Sequence, residues 1–193
     1  VISGRLLDMK KSKILIVVLA IAVIAVFTGC GNDTESGTDD SGNYSGAFSS
    51  FSVKDIYGSE VDQYSVRDSE YTLVYVWGTY CNPCIDSLPD MEKIYKKYKE
   101  KGVNVLGTVV DIQNSDGSVD DDQADYARKI AERQGVTFEN IPVPDSAEKV
   151  FSDVSVTPTA FFVDRNGDVV SKFYEGAYSY EEWSDIIDKL LES

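Results

Sequence analysis

The order of apolar and polar residues predicts an α/β sandwich, in which helices join parallel strands and a hairpin and last helix close the chain. Three observations carry this. Residues 72–77 and 103–110 are apolar runs rich in β-formers, as strands buried on both faces of a parallel sheet are. Between them, apolar residues recur every three or four positions, the spacing of one helix face. Further on, Asn166-Gly167 divides two more apolar runs, the strongest short-range hairpin signal.

The elements follow in order. Residues 48–65 place short apolar segments either side of Tyr57-Gly58 and read as a β-hairpin. After the strand at 72–77, a helix starts at about Cys81 with Cys84, Leu88, Met91, Tyr95 and Tyr98 on one face. Pro89 is expected to kink it and Gly102 to end it. After the strand at 103–110, Asp120, Asp121 and Asp122 suit the positive end of a helix that runs to Gln134 and stops at Gly135. A short helix fits residues 146–151. Residues 159–163 form a strand, and residues 169–174 return antiparallel after the Asn-Gly turn. Ser179 and Glu182 make a capping box. It opens a final helix with Trp183, Ile186, Ile187, Leu190 and Leu191 on one face.

Composition narrows the function. The 193 residues hold one domain with appended segments, and the formal net charge is −15. Such acidity argues against nucleic-acid partners, whose phosphates need Lys and Arg, and against docking on anionic lipid through a basic patch. Histidine is absent. Ser-His-Asp and Cys-His catalysis and imidazole metal ligation are therefore excluded. Ile85 follows the second clustered cysteine where haem attachment needs His.

The front of the chain reads as an export address. Met9 opens MKKSKILIVVLAIAVIAVFTGC, and residues 1–8 look like upstream read-through. Three lysines precede an apolar run at 14–27 that spans roughly 21 Å as a helix, short of the ~30 Å hydrocarbon core. A charged head, a short apolar middle and small residues at 28–29 describe a signal peptide over residues 9–29. VFTGC resembles the lipobox of bacterial lipoproteins, with Cys30 as the lipidated residue and Phe27 where that motif usually has Leu. An uncleaved N-terminal anchor is the alternative. Both tether the remainder to the membrane on its outer side, since the lysines stay in the cytoplasm. Residues 31–46, GNDTESGTDDSGNYSG, read as a flexible tether between Cys30 and a domain at 48–193.

The chemistry sits in YVWGTYCNPCIDSLP, residues 75–89. Cysteines at i and i+3 on the first turn of a helix can close a disulfide with little backbone movement. The first sulfur, Cys81, lies where unpaired N–H groups and the helix dipole stabilise a thiolate. Cys81 is thus the exposed nucleophile and Cys84 the more buried resolving thiol. Pro83 between them restricts the loop. A structural zinc site needs four ligands, and neither histidine nor a second cysteine pair is present. Two inert core thiols are the remaining alternative.

WGTYCNPC, with Thr157-Pro158 ahead of a strand and the Asn-Gly hairpin, resembles a thioredoxin-fold protein. The fuller set, DIYGSEV, TLVYVWGTYCNPC, DSLP, GVNVLGTVVD and VTPTAFFVDRNGDVV, resembles the TlpA/ResA-like membrane-anchored thiol-disulfide reductases. This resemblance implies a thioredoxin fold with a central mixed sheet, flanking helices, an N-terminal hairpin, and an insertion between the second sheet strand and the Pro158 region. It implies that Pro158 is cis and faces the disulfide, with the Thr157 backbone free to pair with an extended substrate. Trp77 would shield the sulfurs or pack in the core, and Tyr80 would line the substrate groove or cover surface.

Relatives carry an acid near the pair, either two residues before the motif Trp or three after the second cysteine. Here those positions are Tyr75 and Ser87. Asp86 and Asp111 are the other candidates for proton relay, and the expectation is transfer through water aided by the Tyr75 or Ser87 hydroxyl. The expected function is a lipid-anchored, extracytoplasmic oxidoreductase that reduces exported protein disulfides with no cofactor beyond Cys81–Cys84. A membrane thiol transporter of the CcdA or DsbD type would donate electrons. Tasks the resemblance implies are cytochrome c maturation and electron supply to a methionine sulfoxide reductase or peroxidase. A disulfide-forming oxidase and a non-catalytic partner-binding lipoprotein are the rivals. Peroxiredoxin chemistry is discounted because Gly78 stands where that group needs Thr.

Overall fold

A computed structural model of the chain describes residues 44–192. The export segment, Cys30 and the tether up to residue 43 lie outside the described residues. Two antiparallel strands, β1 (Ser52–Lys54) and β2 (Glu60–Asp62), form the N-terminal hairpin, and a one-turn helix, α1 (Tyr64–Arg67), follows. The central sheet has the order β5-β4-β3-β6-β7. Its middle strand, β3 (Tyr71–Trp77), pairs in parallel with β4 (Val103–Val109) and antiparallel with β6 (Thr159–Asp164). The outer strands are short: β5 (Asn140–Ile141) beside β4, and β7 (Tyr174–Glu175) beside β6. This is a mixed sheet in an α/β sandwich, the expected fold class.

Side chains alternate across β3 and so divide the core in two. Leu73, Tyr75 and Trp77 face α2 (Asn82–Tyr98), α3 (Asp121–Gln134) and α5 (Tyr180–Leu191). Val74 and Val76 face α1, the N-terminal hairpin and α4 (Glu148–Ser152).

Caps place the helices. Asp120 accepts the N–H groups of Asp122 and Gln123 at the head of α3, and Gly135 ends it in the left-handed region. Ser179 and Glu182 complete their capping box at the head of α5. The first long helix runs unbroken through Pro89, continues as a 3-10 turn over Lys99–Lys101, and stops at Gly102. Its buried face includes Ile94, whereas Tyr95, expected there, lies at the margin against Phe138. The phenol explains this: its oxygen takes a hydrogen bond from Lys99 Nζ, which a core position would forbid.

Two further corrections concern the ends. The return strand expected over residues 169–174 pairs only at its ends, through the Val163–Val169 bridge and the β6–β7 pairs. Between those pairs two residues of β6, Phe161 and Phe162, stand opposite four, and the Ser171 hydroxyl takes the Phe162 N–H in place of a ladder carbonyl. The packed body also begins before residue 48. Tyr44 stacks on Phe173, Ser45 and the Gly46 N–H bond to Asp168, and the Phe48 N–H reaches the Gly167 carbonyl. Gly167 is required twice over: its φ is +85°, and a Cβ there would meet the Ser49 nitrogen at 2.3 Å.

Candidate active site

The end of β3 and the start of α2 build the site. After Trp77 the chain turns through Gly78-Thr79-Tyr80, and Cys81 becomes the N-cap of α2. This short turn is held from outside by Asp111, whose carboxylate accepts both the Thr79 N–H and the Thr79 hydroxyl. Asn82 and Pro83 occupy the first helical positions, where Pro has no N–H to lose.

Cys81 and Cys84 form a disulfide with their Cα atoms 5.2 Å apart. Cys81 is 7% exposed and Cys84 wholly buried, so a partner can reach only the first sulfur. Cys81 Sγ accepts the Cys84 N–H at 3.3 Å. In the dithiol state that N–H, together with the helix dipole, stabilises negative charge on Cys81. The Thr157–Pro158 peptide is cis, and the Thr157 carbonyl oxygen lies 3.5 Å from Cys81 Sγ. A disulfide sulfur carries no proton, so this is a contact that becomes a hydrogen bond only when Cys81 is a thiol.

Beside Cys81 opens a cleft of about 420 Å³, lined by Tyr80, Val110, Phe151, Val154, Val156 and Thr157 among others. Tyr80 is 68% exposed on its rim. Its ring folds over Gly78, where a Cβ would meet ring carbon Cε1 at 2.7 Å. Trp77, by contrast, is fully buried in the same apolar cluster as both cysteines, and its indole N–H donates to Asn140 Oδ1 at 2.9 Å.

The four proton-relay candidates scatter. The Tyr75 hydroxyl donates to the Cys84 carbonyl at 3.0 Å, directly beneath the buried cysteine. Burial pushes the Tyr75 phenol well above its ordinary value, with the Ser87 hydroxyl beside it acting the other way, so it stays neutral. Ser87 Oγ donates to the Pro83 carbonyl. Asp86 points into solvent, and Asp111 is engaged with Thr79. Both contacts of Cys81 Sγ at hydrogen-bonding distance are with backbone atoms. Among the described residues, no cluster of three His, Cys, Asp or Glu side chains is placed to hold a metal ion.

Asn140 is the buried polar residue that pattern reading missed. It sits on a two-residue strand, too short to leave a periodic signal. An isolated Asn in a Gly- and Pro-flanked stretch otherwise reads as a turn.

The comparisons with known proteins agree with this geometry. The AhpC/TSA family model matches residues 45–172. The thiol-disulfide oxidoreductase ResA of Bacillus thuringiensis (strain Al Hakam) is 30% identical over 144 residues, covering 72% of this chain and 74% of that protein. ResA of Oceanobacillus iheyensis is 27% identical over 178 residues, 89% of this chain and 82% of the relative. Among solved structures, a thioredoxin-family thiol:disulfide interchange protein from Chlorobium tepidum TLS shares the fold. Its TM-score is 0.60 at 22% identity, over 74% of this chain and 93% of that one. A CxxC disulfide at a helix N-terminus, a thioredoxin-type sheet and these relatives lead to one conclusion: the chain belongs to the AhpC/TSA family of thioredoxin-fold proteins and is a ResA-like thiol-disulfide oxidoreductase.

Proposed function

We propose that the protein is a lipid-anchored reductant of disulfides in exported proteins, acting at the outer face of the cell membrane. The observation that carries the catalytic part is the pairing of a reachable Cys81 sulfur with a buried Cys84 on the first turn of α2. In the reduced enzyme, Cys81 attacks one sulfur of the substrate disulfide as a thiolate. A mixed disulfide forms and the other substrate sulfur leaves as a thiolate. Cys84 then loses its proton and attacks Cys81 Sγ, which re-forms the Cys81–Cys84 bond and releases the second substrate thiolate. Two electrons pass from the dithiol to the substrate, and the released thiolates take up protons.

The cleft under Tyr80 and the Thr157 carbonyl offer an extended substrate several apolar side chains in a mixed surface and a backbone acceptor. Proton movement at Cys84 runs through water, with the Tyr75 hydroxyl as the polar group one carbonyl away. A hundredfold loss of exchange in Asp86→Ala or Asp111→Ala, with none in Tyr75→Phe, overturns this route.

The address rests on Cys30 and the apolar run before it, since among the described residues no helix is long and apolar enough to cross a membrane. A membrane thiol transporter of the CcdA or DsbD type returns the pair to the dithiol state, and apocytochrome c, a methionine sulfoxide reductase or a peroxidase receives the electrons. Cys84→Ala in the native host is the decisive experiment. It should accumulate mixed disulfides between Cys81 and exported proteins. Insulin reduction that survives in the Cys81→Ser, Cys84→Ser double variant defeats the redox reading. A reduction potential near about −120 mV rather than about −270 mV reverses the direction. Unchanged membrane retention in Cys30→Ala removes the lipid anchor.

A further inference from the structure

Asn140 lies on the edge strand β5, two strands away from Trp77 on β3, with β4 between them. The residue of β4 in register with Asn140 is Gly107, and Gly107 is also in register with Tyr75 of β3. A side chain at Gly107 would fill the path: a Cβ there would lie 2.0 Å from Asn140 Oδ1. With hydrogen in that place, the Asn140 amide reaches across β4 and receives the Trp77 indole N–H at 2.9 Å.

The other end of the amide is also used, since Nδ2 donates to the Phe138 carbonyl at 2.9 Å. An indole N–H only donates, so the amide oxygen must face Trp77 and the amide nitrogen must face Phe138. The loop behind Phe138 is anchored in turn. Glu92, buried in α2, accepts the Thr137 N–H and hydroxyl, so the support returns to the helix that begins at Cys81.

The buried indole N–H needs an acceptor, and the Asn140 amide supplies it. What it achieves is to fix the ring of the residue from which the Cys81 turn departs. Trp77 closes β3, its carbonyl accepts the Val110 N–H, and three residues lead from it to Cys81.

We propose that Asn140 is a positioning residue for thiol–disulfide exchange: it holds the Trp77 indole, across the gap at Gly107, in the apolar cluster that surrounds Cys81 and Cys84. This inference rests on the exchange chemistry assigned above. A loosened indole lets the Cys81 turn shift relative to Thr157, and small misplacements of reacting groups are costly in rate. It also loosens the Cys84 N–H contact that stabilises negative charge on Cys81.

The test is single-turnover oxidation of the reduced full chain by glutathione disulfide across a pH series, read by acid quench and alkylation. Asn140→Ala should slow the reaction about tenfold and move the pH dependence of the rate to higher pH, since Cys81 attacks as the thiolate. Trp77→Phe, which keeps a ring but removes the N–H, should slow it similarly. The double variant Trp77→Phe, Asn140→Ala should react within about twofold of Trp77→Phe alone, because Asn140 acts through that N–H. Wild-type rate and pH profile in Asn140→Ala, or losses that multiply in the double variant, overturn the proposal. Where Asn140→Ala does not fold, an unchanged rate in Trp77→Phe overturns it equally. A wild-type chain that fails to react at all counts against the exchange chemistry instead.

Discussion

The two faces of the central sheet are both rich in aromatic residues but hold them in different ways. On the face that carries the disulfide, Phe162, Tyr174, Tyr178 and Trp183 meet ring to ring, but three other buried rings end in polar atoms that make directed bonds. Tyr75 reaches the Cys84 carbonyl, Trp77 reaches Asn140, and Tyr98 reaches both the Ser184 carbonyl and Asp188. On the opposite face Phe48, Phe51, Phe151, Phe161 and Phe173 meet ring to ring, at centroid distances of 5.2 to 6.4 Å. Phenylalanine packing conserves volume but leaves orientation soft, whereas a hydrogen bond fixes direction. The comparison teaches that the two rings next to the disulfide, Tyr75 and Trp77, have their orientation set by a hydrogen bond, whereas the phenylalanines of the opposite face are set by volume.

The contrast can be broken from either side. The largest effect is expected from Phe161→Ala, which opens a cavity in the soft face. Urea unfolding should show a loss of about 3–5 kcal/mol, while exchange per folded molecule stays at the wild-type rate. A parallel loss of rate would mean that the two faces are not separable. Tyr98→Phe removes a directed bond without removing volume. It should cost about 1.5 kcal/mol, and a near-neutral result would show that the phenol only fills space.

The soft face also holds two buried hydroxyls that find no hydrogen-bond partner among the described residues, Thr72 Oγ1 and Thr108 Oγ1. Thr72→Val and Thr108→Val keep shape and remove an unpaired polar atom. Each is expected to raise stability by about 1 kcal/mol, with no change in exchange rate, and a destabilised variant would reveal an undetected partner.

The smallest effect belongs to Glu139, next to Asn140 on the sheet edge. Burial raises its carboxyl above the ordinary value, and Asp55 and Asp62 add to the shift. An acid raised on folding contributes stability below its unfolded value, and that contribution is lost as pH rises through the folded value. Glu139→Gln should therefore flatten the fall in stability that begins above about pH 4. An unchanged slope in urea unfolding at several pH values would show that Glu139 titrates as if unfolded.

Much of this architecture was legible before any coordinates. Residues 72–77 are continuously apolar, and Asp120, Gly135, Ser179 and Glu182 mark helix ends by local chemistry that needs no distant partner. The edges were less legible. Residues 169–174 carry strand composition, yet Ser171 bonded the Phe162 N–H and broke the ladder, a competition between side chain and backbone that composition does not rank. Tyr44 sits in a Gly- and Ser-rich run that reads as tether, but its ring found Phe173 and its hydroxyl Asp153. The site divides in the same way. The cysteine pair announces itself by spacing, whereas Asp111 on Thr79 and Asn140 on Trp77 join residues 32 and 63 positions apart.

The sequence by itself determined the order of the long helices and strands, the spacing that lets Cys81 and Cys84 pair, and the absence of imidazole from the chemistry. All of these follow from residue type and short-range spacing. Only the tertiary structure decided that Tyr75 turns to the Cys84 backbone, that Asp111 serves the turn, and that Asn140 reaches Trp77 through the space a glycine leaves open. Those outcomes depend on which strands become neighbours and in what register, and register is set by the whole sheet closing at once.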